Sequence, residues 1–121
     1  MEIGVIGAGT WGTALSQVLA ENGNEVYLWH HRESTASKLN LSRQHNNLPS
    51  SPLHESIKVT SQLSSLPQGA PILIAVPTSS FHTVLPMLKN LNPTMVICAS
   101  KGIENGTGLL MSDLILSLIH I

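Results

Sequence analysis

A doubly wound α/β sheet, with parallel strands and helices on both faces, is the fold this sequence predicts. Three observations predict it. Short runs of β-branched residues alternate with stretches of helical spacing, the signature of successive βαβ units. The first of these runs, Glu2 to Ile6, is apolar, rich in Ile and Val, and ends abruptly in Gly7-Ala8-Gly9, as a fully buried strand does. The 121 residues suffice for one domain with its own core and leave no room for a second.

The elements follow in order. After the first strand, Ala14, Leu15, Val18 and Leu19 recur at helical spacing between Trp11 and Asn22, and Gly23 supplies the stop. Glu25 to Trp29 is dense in β-formers and is the second strand, followed by a helical pattern from Glu33 to Asn40. Pro52 and the Ser and Asn crowded between Asn40 and Ser56 mark a long surface loop. Three more β-branched runs, Ile57 to Thr60, Pro71 to Val76 and Thr94 to Ala99, bring the expected strands to five. A weak helical segment lies near Ser61 to Leu66, and a stronger one spans Ser80 to Leu91. The last segment, Gly108 to Ile121, is apolar nearly all round, with a narrow polar stripe of Asp113, Ser117 and His120. It stops without a cap, Gly or Pro, so the chain or its gene is expected to be cut short.

Composition removes several function classes. A net charge of −1 with 11% charged residues gives no electrostatic footprint for nucleic acid or an anionic membrane. No apolar run reaches the length of a membrane span, since Thr10, Ser16, Gln17 and Glu21 break the first candidate and Asp113 the last. The lone Cys98 cannot form an internal disulfide, and Glu2 stands where a secretory signal would be positive, so a cytoplasmic location is expected. Cys98 reads as an inert buried thiol. The six His show no metal-ligand spacing, and no metal is assigned.

The chemistry concentrates at the ends of the strands. Gly7-Ala8-Gly9-Thr10-Trp11-Gly12 is a G-x-G-x-x-G that follows a buried strand and opens a helix. In that setting Gly7 makes the tight turn, Gly9 lets a pyrophosphate approach the backbone, and Gly12 lets the helix pack closely. The helix N-terminus then faces the phosphates, with Thr10 and Trp11 on the lip of the site. The plainer alternative is a glycine turn that binds nothing.

An acid about twenty residues beyond the glycines would hold the adenine ribose of NAD, but the second strand ends instead in Trp29-His30-His31-Arg32. A guanidinium beside imidazoles suits a 2′-phosphate, because charge-assisted bonds contribute roughly 1.5 to 3 kcal/mol each. NADP is therefore expected, with NAD as the alternative if Arg32 is only the solvated start of the next helix and Glu33 takes the ribose. Val76-Pro77-Thr78 and Ser100-Lys101-Gly102-Ile103-Glu104 both fall at the carboxyl edge of strands, where open α/β sheets bind ligands. Lys101, with no acidic neighbour before Glu104, is a point charge fit for a phosphate, or else a solvated loop lysine.

Taken together, Gly7 to Leu15, the Val-Tyr-Leu-Trp strand leading to His31, Val76-Pro77 and Ser100 to Glu104 resemble the N-terminal domain of the bacterial NAD(P)-dependent glycerol-3-phosphate dehydrogenases. The likeness covers essentially the whole chain and implies a Rossmann-type sheet over residues 1–121, truncated before a helical C-terminal domain. It further implies that Thr10, Trp11, His31 and Lys101 contact the nicotinamide nucleotide, with Lys101 also reaching the substrate phosphate. Asn47 stands before Leu48-Pro49 where the family usually has an aromatic, and the chain stops before the family's Gly-Pro-Thr-type motif.

The implied reaction interconverts glycerol 3-phosphate and dihydroxyacetone phosphate. In the family a lysine of the helical domain is the general base, so no catalytic residue is expected in this chain, and the chain alone is expected to be inactive and to self-associate. A homodimeric full-length enzyme is compatible with the resemblance. Two other function classes compete: a non-catalytic nucleotide-binding fragment, favoured by length, and an adenosyl-methionine methyltransferase, disfavoured because His30-His31-Arg32 replaces the acid such a site wants.

Overall fold

The structure is a computed structural model that describes residues 1–45 and 52–99. The chain forms β1 (Glu2–Ile6), α1 (Thr10–Glu21), β2 (Glu25–Trp29), α2 (Glu33–Ser42), β3 (Ile57–Thr60), β4 (Ile72–Ile74), α3 (Phe81–Leu88) and β5 (Val96–Cys98). Short 3-10 turns occupy Leu63–Ser65, Thr78–Ser80 and Lys89–Leu91. The five strands are all parallel and lie in the order β3-β2-β1-β4-β5. From β1 the chain winds outward through β2 to β3, then crosses back to β4 and continues to β5. The order reverses between β1 and β4, and a crevice opens there at the carboxyl edge.

The strands are apolar on both faces because both are covered. Alternation sends Val5, Val26, Leu28, Ile57 and Leu73 to one side, where they meet Ala20 of α1 and Leu39 of α2. It sends Ile6, Trp29, Ile72 and Ile74 to the other, against Phe81, Val84, Leu85 and Leu88 of α3. Parallel register brings the strand ends level, as shown by Gly7 N–H donating to the Trp29 carbonyl at 2.9 Å and Ala75 N–H to that of Ile6 at 2.8 Å. Ala99 N–H likewise donates to the Ile74 carbonyl at 2.8 Å.

The five expected strands are present, and the differences lie at boundaries. The segment expected as one helix from Ser80 to Leu91 is a 3-10 turn, the eight-residue α3 and a second 3-10 turn. Pro86 lies inside α3, has no N–H for the intrahelical ladder, and so favours a short helix. Asn92, at φ 48°, then turns the chain away. The weak pattern near Ser61 to Leu66 is a single 3-10 turn at Leu63–Ser65. Cys98 is half-buried in β5 rather than fully enclosed.

Among the described residues, the side chains of Arg43 and Gln17 hold the approach to β3 from Pro52 to Ile57. The Arg43 guanidinium, at the left-handed end of α2, donates through Nη2 to the His54 and Ile57 carbonyls at 2.7 Å each. Gln17 of α1 donates to the Pro52 carbonyl and accepts from His54 N–H, both at 3.0 Å. The expected terminal helix, Gly108 to Ile121, lies outside the described residues, as does the Asn47-Leu48-Pro49 loop. Among the described residues no helix is long and apolar enough to cross a membrane.

Candidate functional site

The crevice at the β1–β4 switch point is a cleft of about 700 Å³. Its floor is the glycine turn, one wall is the end of β2, and the opposite wall runs from β4 into α3.

Each glycine of the turn is required for a different reason. Gly7 adopts φ +113°, and a Cβ there would meet the Ala75 carbonyl oxygen at 2.7 Å, so both conformation and space demand glycine. At Gly12 a Cβ would run into the Gly7 carbonyl, which lets the first turn of α1 lie against the end of β1. Gly9 is different. Its φ is −74°, open to any residue, and a Cβ would meet nothing within 4 Å. Nothing in the described chain needs glycine at that position, so the space is available to a ligand. Gly9 is also the N-cap of α1, which has no side-chain cap and no acid in its first turn. A helix start of this kind presents backbone N–H groups and a positive dipole end to an anion.

At the end of β2, His30 and His31 both line the cleft. His30 remains attached to the sheet through its N–H, which donates to the Thr60 carbonyl at 3.0 Å. The two imidazoles stack with centroids 4.6 Å apart and planes at 20°. The Arg32 N–H donates to His30 Nδ1 at 3.0 Å. Burial, then the adjacent His31 and finally the Arg32 charge hold the His30 pKa below the ordinary histidine value. Arg32 is the extended N-cap residue of α2; it is exposed and does not line the cleft.

The wall from β4 to α3 contributes Ala75, Val76, Pro77, Ser79, Ser80, Thr83, Val84 and Met87. The sequence singled out Val76-Pro77-Thr78 but not Ser79, Ser80, Thr83 or Met87, nor Ser61 beyond β3. Hydroxyls clustered in a strand-to-helix turn were the available signal. Trp11 stands 58% exposed at the start of α1, and its indole N–H donates to the Ala99 carbonyl at 3.1 Å. The indole thus links the glycine turn to the exit of β5. Thr10 opens α1 beside it. Lys101 lies outside the described residues, as does the rest of Ser100 to Glu104.

The structure therefore brings Gly7, Gly9 and His31 into one cleft, with Gly12 packed beneath the turn and Thr10 and Trp11 at the start of α1. The arrangement fits an elongated anionic ligand whose phosphates lie over Gly9. Its apolar walls, including Ala75, Val76, Pro77 and Val84, suit flat heterocycles.

Comparison with known proteins agrees with this geometry. Residues 2–121 match the family described as NAD-dependent glycerol-3-phosphate dehydrogenase N-terminus. The chain is 39% identical over 113 residues to an NAD(P)+ glycerol-3-phosphate dehydrogenase of Novosphingobium aromaticivorans, a match covering 93% of this chain and 34% of the relative. It is 40% identical over 118 residues to the Bacillus mycoides enzyme of that name, covering 94% of this chain and 35% of that protein. The crystal structure of a glycerol-3-phosphate dehydrogenase from Coxiella burnetii superimposes with a TM-score of 0.88 at 30% identity, over 99% of this chain and 38% of that one. The chain thus spans about a third of the length of the curated relatives it matches.

Proposed function

Because the chain belongs to the NAD-dependent glycerol-3-phosphate dehydrogenase N-terminus family, we propose that it is the dinucleotide-binding part of an enzyme interconverting glycerol 3-phosphate and dihydroxyacetone phosphate. The bound nicotinamide would supply the hydride acceptor or donor for C2 of the substrate. The residues described here bind and orient. Gly9 admits the pyrophosphate, the start of α1 neutralises part of its charge, and the apolar walls exclude water from the flat rings.

His31 and Arg32, standing where an acid would serve an NAD-specific site, favour NADP over NAD. Lys101 is assigned to the substrate phosphate on the strength of its sequence position between β5 and Gly102. Among the described residues, the titratable groups that line the cleft are His30 and His31, at the β2 end. A lysine supplied from outside the described residues would complete the site in the family's manner, with the full-length enzyme expected to act on its small-molecule substrate in the cytoplasm.

The observation that carries this reading is the unoccupied Cβ side of Gly9 at an uncapped helix start. Gly9→Val should abolish NADPH and NADH binding by calorimetry while leaving far-UV circular dichroism unchanged, since a Cβ at this position meets no described protein atom within 4 Å. Unaltered binding would reduce the motif to a turn.

A further inference from the structure

The β2–α2 turn contains an arrangement that the glycine motif does not explain. His30 is half-buried in the cleft wall, and its ring closes back on its own chain. Nδ1 accepts the backbone N–H of Arg32 at 3.0 Å, two residues on, while the ring face carries the His31 imidazole at 4.6 Å. A side chain that accepts the N–H two residues ahead fixes the intervening peptide, as Asn and Asp do in Asx turns. The backbone of His30 is itself held to β3 through the Thr60 carbonyl. His30 therefore has a fixed base and two dependants: the main chain at Arg32 and the ring of His31.

An imidazole can accept at Nδ1 only when that nitrogen is bare. The ring is then neutral, with its proton on Nε2. Burial and the two neighbouring basic groups favour that same neutral form. The groups that face His30 and can carry charge are His31 and Arg32; no other titratable residue lines the cleft among those described. His30 is thus poorly suited to serve as the cation of an anion site and well placed to fix the turn that carries His31 and Arg32.

We propose that His30 is a positioning residue that selects dinucleotides bearing a 2′-phosphate by fixing the turn on which His31 and Arg32 are presented. The inference rests on the dinucleotide reading of the cleft and adds to it the source of the 2′-phosphate preference. A phosphate dianion gains from charged donors only where they converge, because the strength of a charge-assisted bond depends on its geometry. A ribose hydroxyl is neutral and loses little when the turn loosens. Removing the ring should therefore weaken NADPH binding selectively.

The test compares the unsubstituted chain with His30→Ala and His30→Asn, measuring NADPH and NADH affinities by calorimetry and stability by urea titration. Asparagine is uncharged at every accessible pH but can accept the Arg32 N–H in an Asx turn. The unsubstituted chain should prefer NADPH. In His30→Ala the ratio of NADPH to NADH affinity should fall about tenfold, a change equivalent to about 1.4 kcal/mol. His30→Asn should restore most of it.

A ring that served only folding would lower the urea midpoint and leave the NADPH-to-NADH ratio unchanged, which overturns the proposal. Equal loss in the Ala and Asn variants also overturns it, because the acceptor would then not be what matters. An unsubstituted chain that binds both dinucleotides without preference overturns the proposal and leaves the nucleotide site standing; one that binds neither overturns both.

Discussion

Thr13 shows how closely function and packing share the first turns of α1. It is 1% exposed, and its Oγ1 is buried with no hydrogen-bond partner among the described residues, while Ser16, one turn on, donates to the Gly12 carbonyl at 2.8 Å. At the opposite wall His30 links the site to pH. Unfolded, its ring titrates near its ordinary value of 6.5; folded, burial lowers that value. Between the two values the unfolded chain holds more protons, so stability is greatest above about pH 6.5 and declines as the pH falls toward the folded-state value. His30→Asn should remove this contribution, so its urea midpoint should fall less than that of the unsubstituted chain between about pH 7.5 and pH 5.5. Parallel pH curves would mean that the ring titrates alike in both states. The glycines were legible in the sequence because each obeys a local rule. The bond between Trp11 and Ala99 was not, because it joins residues 88 positions apart and depends on β1, β4 and β5 lying side by side.

Among the elements, α3 does most to hold the β4 side of the cleft. It is only eight residues long, yet Phe81, Val84, Leu85 and Leu88 are all buried from it. Phe81, its first residue, is wholly enclosed in the core formed with Ile6, Trp29 and Ile74. Phe81→Ala should cost about 3–5 kcal/mol of stability, read from chemical denaturation, because the neighbouring strands cannot close on the space. A loss below about 1 kcal/mol would show that the helix contributes little to this core. The periodicity announced an apolar helix here, and the burial follows that pattern. It missed the division into three pieces, since Pro86 limits the helix by backbone chemistry while its neighbours keep the helical spacing of apolar groups. The end of α2 was similarly hidden: Arg43 stands in a left-handed conformation at φ 58°, where glycine is the usual signal. Three hydrogen bonds from its guanidinium, to Asn40, His54 and Ile57, account for an arginine there.

At the scale of the whole molecule, a ligand in the cleft touches the ends of β1, β2 and β4 and the start of α3, and so joins the two cores that the sheet separates. Binding to the folded chain alone should stabilise it by about 2.7 kcal/mol at a concentration a hundredfold above Kd. For a chain of this size that corresponds to a rise of roughly 10 °C in Tm, measured by calorimetry with NADPH against the same concentration of inorganic phosphate. An equal rise with phosphate would mean that anion binding alone accounts for the effect. The all-parallel order was legible because strands and helices alternate along the chain, whereas the far wall of the cleft was not, because Ser61, Thr83 and Met87 meet only after the crossover from β3 to β4. The two tryptophans occupy opposite circumstances: Trp29 is 6% exposed, bonded to the Ser61 carbonyl and part of the cleft lining, while Trp11 is largely in solvent and bonded to Ala99. Their emission should therefore differ in colour, blue-shifted from the enclosed indole and red-shifted from the open one. Arrival of a reduced nicotinamide, which absorbs where indoles emit, would dim both, so the protein carries an optical gauge of its own occupancy and needs no attached dye.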